Sequence, residues 1–184
     1  MLESRAIQNK TAQLMILLVE RKEPKQKKAQ WMKPSVVITG GIFYEVLMKL
    51  TRLTHEFHNT YKDCKEILKK KDRPYACLTI EVDGLLYAIP FRHHIAHKYA
   101  FKTIGEAGLD YTKAVVITSI DYLETGEARI ETAEFNIIKR NEAKIRYDFK
   151  KYVNQYRRAM KHRDNPRSHN ILAYSALQYF EEYL

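Results

Sequence analysis

Apolar residues form two nearly continuous runs in the middle of the chain, separated by one polar dipeptide. The runs, PYACLTIEV at 74–82 and LLYAIPF at 85–91, are rich in β-branched and aromatic residues and flank Asp83-Gly84. This dipeptide readily adopts the positive φ angles of a tight turn, so the pattern predicts a β-hairpin. Strands are also predicted in KLTRLT at 49–54 and GLDYTKAVVITSIDYL at 108–123, and a turn with a short strand in TGEARI at 125–130.

Apolar residues at helical spacing predict three helices. The first lies within HEFHNTYKDCKEILKKK at 55–71, with Thr54 as its N-cap. Two more end the chain, one from Asn141 to about Lys161 and one from Asn170 to Tyr183, with a break at 164–166. The order of strand, helix, several strands and two helices favours an α+β fold with an antiparallel sheet.

The net charge of the chain indicates which kind of partner it binds. The 184 residues include 32 Lys and Arg against 22 Asp and Glu, a net charge of +10. Such a balance favours a polyanion, with nucleic acid as the first expectation and an acidic membrane surface as the second. The apolar run at 14–19 is much shorter than the roughly 20 residues needed to span a membrane, and we expect a cytoplasmic protein.

The segment AIPFRHHIAHKYAF at 88–101 places ionisable side chains directly behind a strand. His93, His94 and His97 could bind a metal ion, but Arg92 and Lys98 flank them, and the nearby sequence supplies no carboxylate or thiolate ligand. Phosphodiester cleavage of RNA without a metal or other cofactor fits these residue types better. Imidazole transfers protons, and lysine and arginine stabilise charge on phosphorus. A basic loop that only holds phosphates is the alternative.

From Met48 onward the chain resembles the toxins of type III toxin–antitoxin systems, the ToxN/AbiQ endoribonucleases, and most of all their TenpN and CptN branches. The resemblance rests on the order of MKLTRLTHEFHNTYKDCKEIL, KKDRPYACLTIEVDGLLYAIPFRHHIAHKYAF and GLDYTKAVVI, followed by a long basic helix and the ending YFEEYL. It implies a compact, strongly twisted antiparallel sheet surrounded by helices. It also implies a metal-independent endoribonuclease that leaves a 2′,3′-cyclic phosphate, takes part in phage defence and is inhibited by a repeat-derived pseudoknot RNA.

The resemblance also suggests site residues. His93, His97 and Lys98 match the family's catalytic loop, where relatives often have a hydroxyl residue at the position of His93. The other catalytic candidates are Arg73, a cation before the YACLTIEV strand, and Lys113 with its neighbour Thr112. Each has a simpler interpretation: Arg73 as a helix-end cation, Lys113 as an edge charge, and Thr112 as a β-forming residue. Arg92 and His94 are expected to bind RNA.

The long helix carries a second set of basic residues. When its apolar stripe turns inward, cations remain on the outer faces, and few acidic residues lie among them. We expect this surface to bind the antitoxin RNA, although a solvated helix face is the alternative. The residues concerned are Lys144, Lys150, Lys151, Arg157, Arg158 and Lys161. A non-catalytic basic RNA-binding protein with a toxin-like fold is the alternative function.

Residues 1–47 differ from the domain expected at 48–184. They mix charged residues, prolines and glutamines with little periodicity, and they match no part of the resembled family. Two hypotheses remain open. Met48 is the working start and the preceding residues are an upstream extension, or these residues are an accessory piece that packs on the sheet.

Overall fold

The computed structural model describes residues 48–68 and 75–184, which form an α+β fold around a six-stranded antiparallel sheet. This confirms the predicted fold class. The strands are β1 Lys49–Thr51, β2 Cys77–Val82, β3 Leu85–Arg92, β4 Ala100–Lys102, β5 Gly108–Asp110 and β6 Val115–Val116. Their order in the sheet is β1-β2-β3-β5-β4, and β6 also pairs with β3.

The β2–β3 hairpin is the centre of the sheet and confirms the predicted turn. Asp83 and Gly84 have φ angles of 52° and 79°, which asparagine, aspartate and glycine tolerate best. One edge of β3 pairs with β2, and its other edge pairs first with β6 and then with β5. Because Arg92 at the end of β3 is opposite Gly108 at the start of β5, the following loop begins beside β5.

The long C-terminal helix supplies much of the core. The α-helices are α1 His55–Thr60, α2 Thr132–Arg140, α3 Glu142–Lys161 and α4 Pro166–Tyr174, and 3₁₀ helices cover Tyr111–Lys113, Ile120–Tyr122 and Ala176–Tyr183. Phe149 of α3 is fully buried and packs edge-on against Tyr87 of β3, with ring centroids 5.1 Å apart. The apolar stripe predicted for this helix therefore faces the sheet, as expected.

Two local predictions need correction. Thr54 does cap α1, since its side chain accepts a hydrogen bond from Phe57 N, but the helix ends at Thr60. Asparagine and threonine in its last turn form helices poorly, and Tyr61 beyond them packs on Phe180. TGEARI forms no strand, although Ala128 N donates to Leu50 O of β1.

The C-terminal helices also differ in detail. Helix α4 starts at Pro166, with the Asn165 side chain capping its first turn, so the predicted break is confirmed but the helix begins earlier than Asn170. It ends at Tyr174 because the Ser175 hydroxyl caps the following 3₁₀ helix and accepts a hydrogen bond from Tyr152. Helix α2 was not predicted.

Candidate active site

Four segments meet at a cavity of about 340 Å³ behind the end of β3. Arg92 comes from β3, His97 and Tyr99 from the loop that follows, and Thr112 and Lys113 from the 3₁₀ turn after β5. Helix α4 and the residue after it supply the remaining side. We call this space the loop cavity; its lining is completed by Asn170, Ile171, Tyr174 and Ser175.

A buried carboxylate organises the cations around the loop cavity. Asp110 is fully buried at the end of β5 and forms an ion pair with Arg92. Its Oδ1 accepts hydrogen bonds from Thr112 N at 3.0 Å and from Thr112 Oγ1 at 2.6 Å, and so caps the 3₁₀ turn. Because a buried carboxylate needs several donors or cations, Asp110 holds its neighbours in fixed positions.

His97 belongs to the same cluster. Its Nε2 lies 3.3 Å from Asp110 Oδ1 and 3.5 Å from Thr112 Oγ1. Its Nδ1 is enclosed and has no hydrogen-bond partner among the described residues. The carboxylate favours a proton on Nε2, the ring nitrogen that faces Asp110. The structure thus provides a partly exposed, carboxylate-oriented imidazole.

Lys113 occupies a partly dehydrated position in the cavity wall. Its Nζ donates a hydrogen bond to the backbone oxygen of Tyr174 at 3.2 Å. Burial lowers the pKa of the Lys113 amine, while the charges of Asp110 and Glu66 oppose this shift. A cation in such a place lacks its full hydration shell and gains more from binding an anion than a fully solvated lysine does.

In the loop after β3, the other predicted site residues point away from the loop cavity. Ile95 is buried and anchors the loop through its N–H to Glu106 O, so its neighbours point outward. His93 is exposed, with its ring 5.8 Å from that of Phe91. The His94 side chain is 93% exposed, and Lys98 Nζ lies 5.4 Å over the Tyr99 ring.

The structure therefore brings together Arg92, His97, Thr112 and Lys113, but His93, His94 and Lys98 do not line the loop cavity. Arg73 lies outside the described residues. Sequence reasoning missed Asp110. The available signal was its position, since an aspartate between a strand and a turn is a common cap.

The basic residues of α3 divide into two groups. Asp83 in the hairpin turn accepts from Lys150 Nζ at 2.6 Å and from Arg157 Nη1 at 2.7 Å. Lys144 pairs with Asp148 one turn along the helix. Lys144 thus has an i,i+4 ion pair within this helix, whereas Lys150 and Arg157 are paired by an acid from another element, which the sequence of the helix did not indicate. Within the described part of the chain, Lys151, Arg158 and Lys161 are exposed and form no ion pair.

Two of the cations without an ion pair among the described residues, Lys151 and Arg158, lie close to the loop cavity. Lys151 and Arg158 are seven residues apart, which places them on one face of α3, and Gln155 lies between them on that face. Gln155 Nε2 donates to the hydroxyl of Tyr99, a residue of the cavity wall, at 3.3 Å. Lys151 and Arg158 therefore lie on the face of α3 that leads to the cavity, while Lys150 and Arg157 pair with the hairpin turn.

Comparison of the chain with family models, with curated proteins and with solved structures finds no match. Among residues 48–68 and 75–184, no three His, Cys, Asp or Glu side chains are grouped so that they could hold a metal ion. No helix in the same ranges is both long enough and apolar enough to cross a membrane.

Proposed function

We propose that this protein is the toxin of a type III toxin–antitoxin system, a metal-independent endoribonuclease whose active site is the loop cavity. The observation that carries the proposal is the cluster of Arg92, His97 and Lys113 around one cavity, held by the buried Asp110. Even with Asp110 ionised, Arg92 and Lys113 leave the cavity positive, which suits a phosphate. Its volume of about 340 Å³ lies within the range of ligand pockets, roughly 300–1,000 Å³.

The proposed reaction is internal transesterification of RNA. The ribose 2′-oxygen attacks the adjacent phosphorus and loses its proton, the bond from phosphorus to the 5′-oxygen breaks, and that oxygen takes up a proton. The products are a 2′,3′-cyclic phosphate and a 5′-hydroxyl end. His97 carries out proton transfer, because imidazole exchanges protons near neutral pH. Arg92 and Lys113 bind the phosphate oxygens as charge develops on them.

Arg92 can bind phosphate while it pairs with Asp110. A guanidinium has five N–H donors, and one nitrogen of Arg92 is engaged by the carboxylate. Thr112 donates its hydroxyl proton to Asp110, so its role is to fix the carboxylate and, through it, His97. The second partner in the proposal is the antitoxin RNA, which binds along the unpaired cations of α3 and blocks access to the cavity.

The test is an RNA cleavage assay in excess EDTA with the wild type, His97→Gln and His94→Gln. The proposal expects cyclic-phosphate ends from the wild type and none after a 2′-deoxy substitution at the cleaved nucleotide, which removes the nucleophile. His97→Gln should lower kcat by about 10²–10⁴-fold and retain RNA binding. His94→Gln is the matched control, because its exposed ring lies outside the cavity, and it should cleave like the wild type.

A second candidate is a non-catalytic RNA-binding protein, favoured by the net charge of +10 and the unpaired cations of α3. In the same assay it would bind RNA and leave it intact. Cleavage that EDTA abolishes, or that His97→Gln leaves unchanged, would contradict the proposed mechanism.

A further inference from the structure

We infer that Tyr174 and Asn170, on the outer wall of the loop cavity, form a base-binding subsite that holds a nucleobase beside the bound phosphate. This inference rests on the proposed function, since it assigns the substrate's base to the same cavity. It names two residues that neither the sequence pattern nor the catalytic cluster had pointed to.

Tyr174 presents a large exposed aromatic surface at the edge of the loop cavity. Its side chain lies at the end of α4, and the residue is 66% exposed although it lines the cavity. Aromatic rings bury large apolar areas when they can, so an open ring beside cations provides a surface for a flat ligand. Stacking of a base on such a ring contributes about 1–3 kcal/mol and tolerates any base.

Tyr174 contacts the phosphate-binding cation, Lys113, as well as presenting its ring to the cavity. The backbone oxygen of Tyr174 accepts the hydrogen bond from Lys113 Nζ at 3.2 Å, while its side chain lines the cavity. The position of the amine is therefore tied to the position of the ring. This arrangement places an aromatic surface next to a cation, as a nucleotide with its base and phosphate requires.

Asn170 adds a group that can read the base. It precedes Tyr174 by four residues in α4, so both side chains lie on one face of the helix. Asn170 is exposed, lines the cavity and has no side-chain hydrogen bond within the described part of the chain. A carboxamide has donors and an acceptor, which can pair with the edge of a stacked base.

Tyr99 gives the same cavity a rigid wall. Its hydroxyl accepts from Gln155, and its ring packs on that of Tyr152 with centroids 5.5 Å apart. The cavity thus has one aromatic residue fixed by packing and one whose ring is open to solvent. We assign stacking to Tyr174 because its ring is open to solvent, whereas the Tyr99 ring packs on Tyr152 and lies under Lys98 Nζ.

The experiment uses the full chain and small probes. The affinities of the four nucleoside 3′-monophosphates, of the corresponding nucleosides, and of ribose 5-phosphate, which has no base, are measured by NMR titration. Tyr174→Ala should weaken nucleoside monophosphate binding by about 5- to 150-fold, while Tyr174→Phe should bind like the wild type. Ribose 5-phosphate should bind the wild type and Tyr174→Ala equally, since the backbone acceptor for Lys113 remains.

Two further variants sharpen the result. Tyr147→Ala is the matched control, because Tyr147 is 69% exposed on α3 and does not line the cavity. It should leave every affinity unchanged. Asn170→Ala should change the ranking of the four bases more than the mean affinity.

The outcomes separate the two proposals. Equal affinities of the wild type and Tyr174→Ala for nucleoside monophosphates, or no binding of any probe, would overturn the base subsite. If nucleosides bind as tightly as their monophosphates, and Arg92→Gln changes neither, the phosphate-cleaving role fails. In that case a loss of nucleoside binding in Tyr174→Ala would still support the base subsite.

Discussion

The carboxylate of Asp110 lies 3.3 Å from His97 Nε2, and the same buried group pairs with Arg92 on the other side. One fully buried carboxylate thus fixes the positions of both the proton-transfer group and a phosphate-binding group of the proposed site. The arrangement depends on the pairing of β3 with β5, since Arg92 is opposite Gly108 and Asp110 lies two residues farther along β5, on the same face of the sheet.

Asp110→Asn should weaken both the fold and the site. The amide keeps an acceptor oxygen but cannot balance Arg92, and a buried ion pair that loses one partner costs about 3 kcal/mol. Urea unfolding should show a decrease of that size in the free energy of unfolding. Because Arg92 and His97 lose their orientation, we also expect kcat for RNA cleavage to fall by about 10²-fold at a temperature where the variant is folded.

Asp83→Asn is the control for that experiment. It removes an ion-pair partner from the hairpin turn, outside the cavity lining, and so should lower stability without changing the cleavage rate. If both variants cleave at the wild-type rate, Asp110 does not position the catalytic groups.

Lys113 should determine where activity is lost at high pH. Burial lowers the pKa of its amine from the ordinary value of 10.5, so the amine loses its charge at a lower pH than a surface lysine. We expect the alkaline limb of the kcat/KM profile to fall below pH 10.5 and to move upward in Lys113→Arg, whose guanidinium stays charged. Lys98→Arg, a change at an exposed lysine outside the cavity lining, should leave the limb in place.

The lowered pKa of Lys113 should also make the free energy of unfolding depend on pH. Below its folded-state pKa, Lys113 is charged and partly dehydrated, which disfavours folding, and this penalty disappears as the pH rises toward 10.5. The wild type should therefore gain stability relative to Lys113→Met over that interval, as measured by urea unfolding. A constant difference between the two proteins would contradict the assigned burial effect.

Local signals predicted the sheet better than the helix boundaries. The hairpin at Asp83-Gly84 follows from turn chemistry and flanking strand residues, which act over a few positions. The end of α1 was predicted wrongly because apolar residues such as Ile67 continue at helical spacing beyond it. Ile67 is buried, as that spacing predicts, but it reaches the core from a series of turns and not from a helix. Burial was predicted correctly there, and the backbone that achieves it was not.

The site could be predicted only where residues are close in sequence. Arg92 and His97 share one loop, and Thr112 and Lys113 one turn, so their residue types indicated the chemistry. The position of Asp110 before a turn indicated a cap, but its pairing with Arg92 becomes visible only once β3 and β5 are paired. Asp83 was likewise predicted as a turn residue, and its pairing with α3 needed the packed structure.

At acidic pH the protein should lose the stability that the ion pairs of Asp83 contribute. Hydrogen bonds from Lys150 and then Arg157 lower the pKa of its carboxyl, so its contribution is present above the unfolded value of 3.8 and is lost as the pH falls through the folded value. Asp83→Asn should cost about 1 kcal/mol at neutral pH, since the pair is partly exposed, and the difference should close in acid. Asparagine also tolerates the φ angle of 52°.

Urea unfolding of both proteins at a series of pH values measures this difference. Asp164→Asn, at an exposed turn position without an ion pair among the described residues, should show no such pH-dependent gap. A gap that persists below the folded-state pKa of Asp83 would mean that turn geometry, rather than charge, is responsible.

The two groups of cations on α3 should differ in how they affect RNA binding. The double variant Lys151→Gln with Arg158→Gln removes unpaired cations beside the loop cavity, so fewer counterions are released from RNA on binding. For a single-stranded RNA, we expect the slope of log K against log salt concentration to flatten by about 1.4, at about 0.7 for each lost phosphate contact. Filter binding over a range of salt concentrations measures this slope.

The matched control is Lys150→Gln with Arg157→Gln, which changes the net charge by the same amount on the same helix. These cations share the carboxylate of Asp83, which offsets one of their two charges, so the salt slope should flatten less than in the first double variant, although unfolding should become easier. Because both double variants remove two cations from the same helix, equal flattening would show that net charge alone attracts the RNA. Flattening confined to the Lys151 and Arg158 variant would place the RNA along the face of α3 that leads to Tyr99.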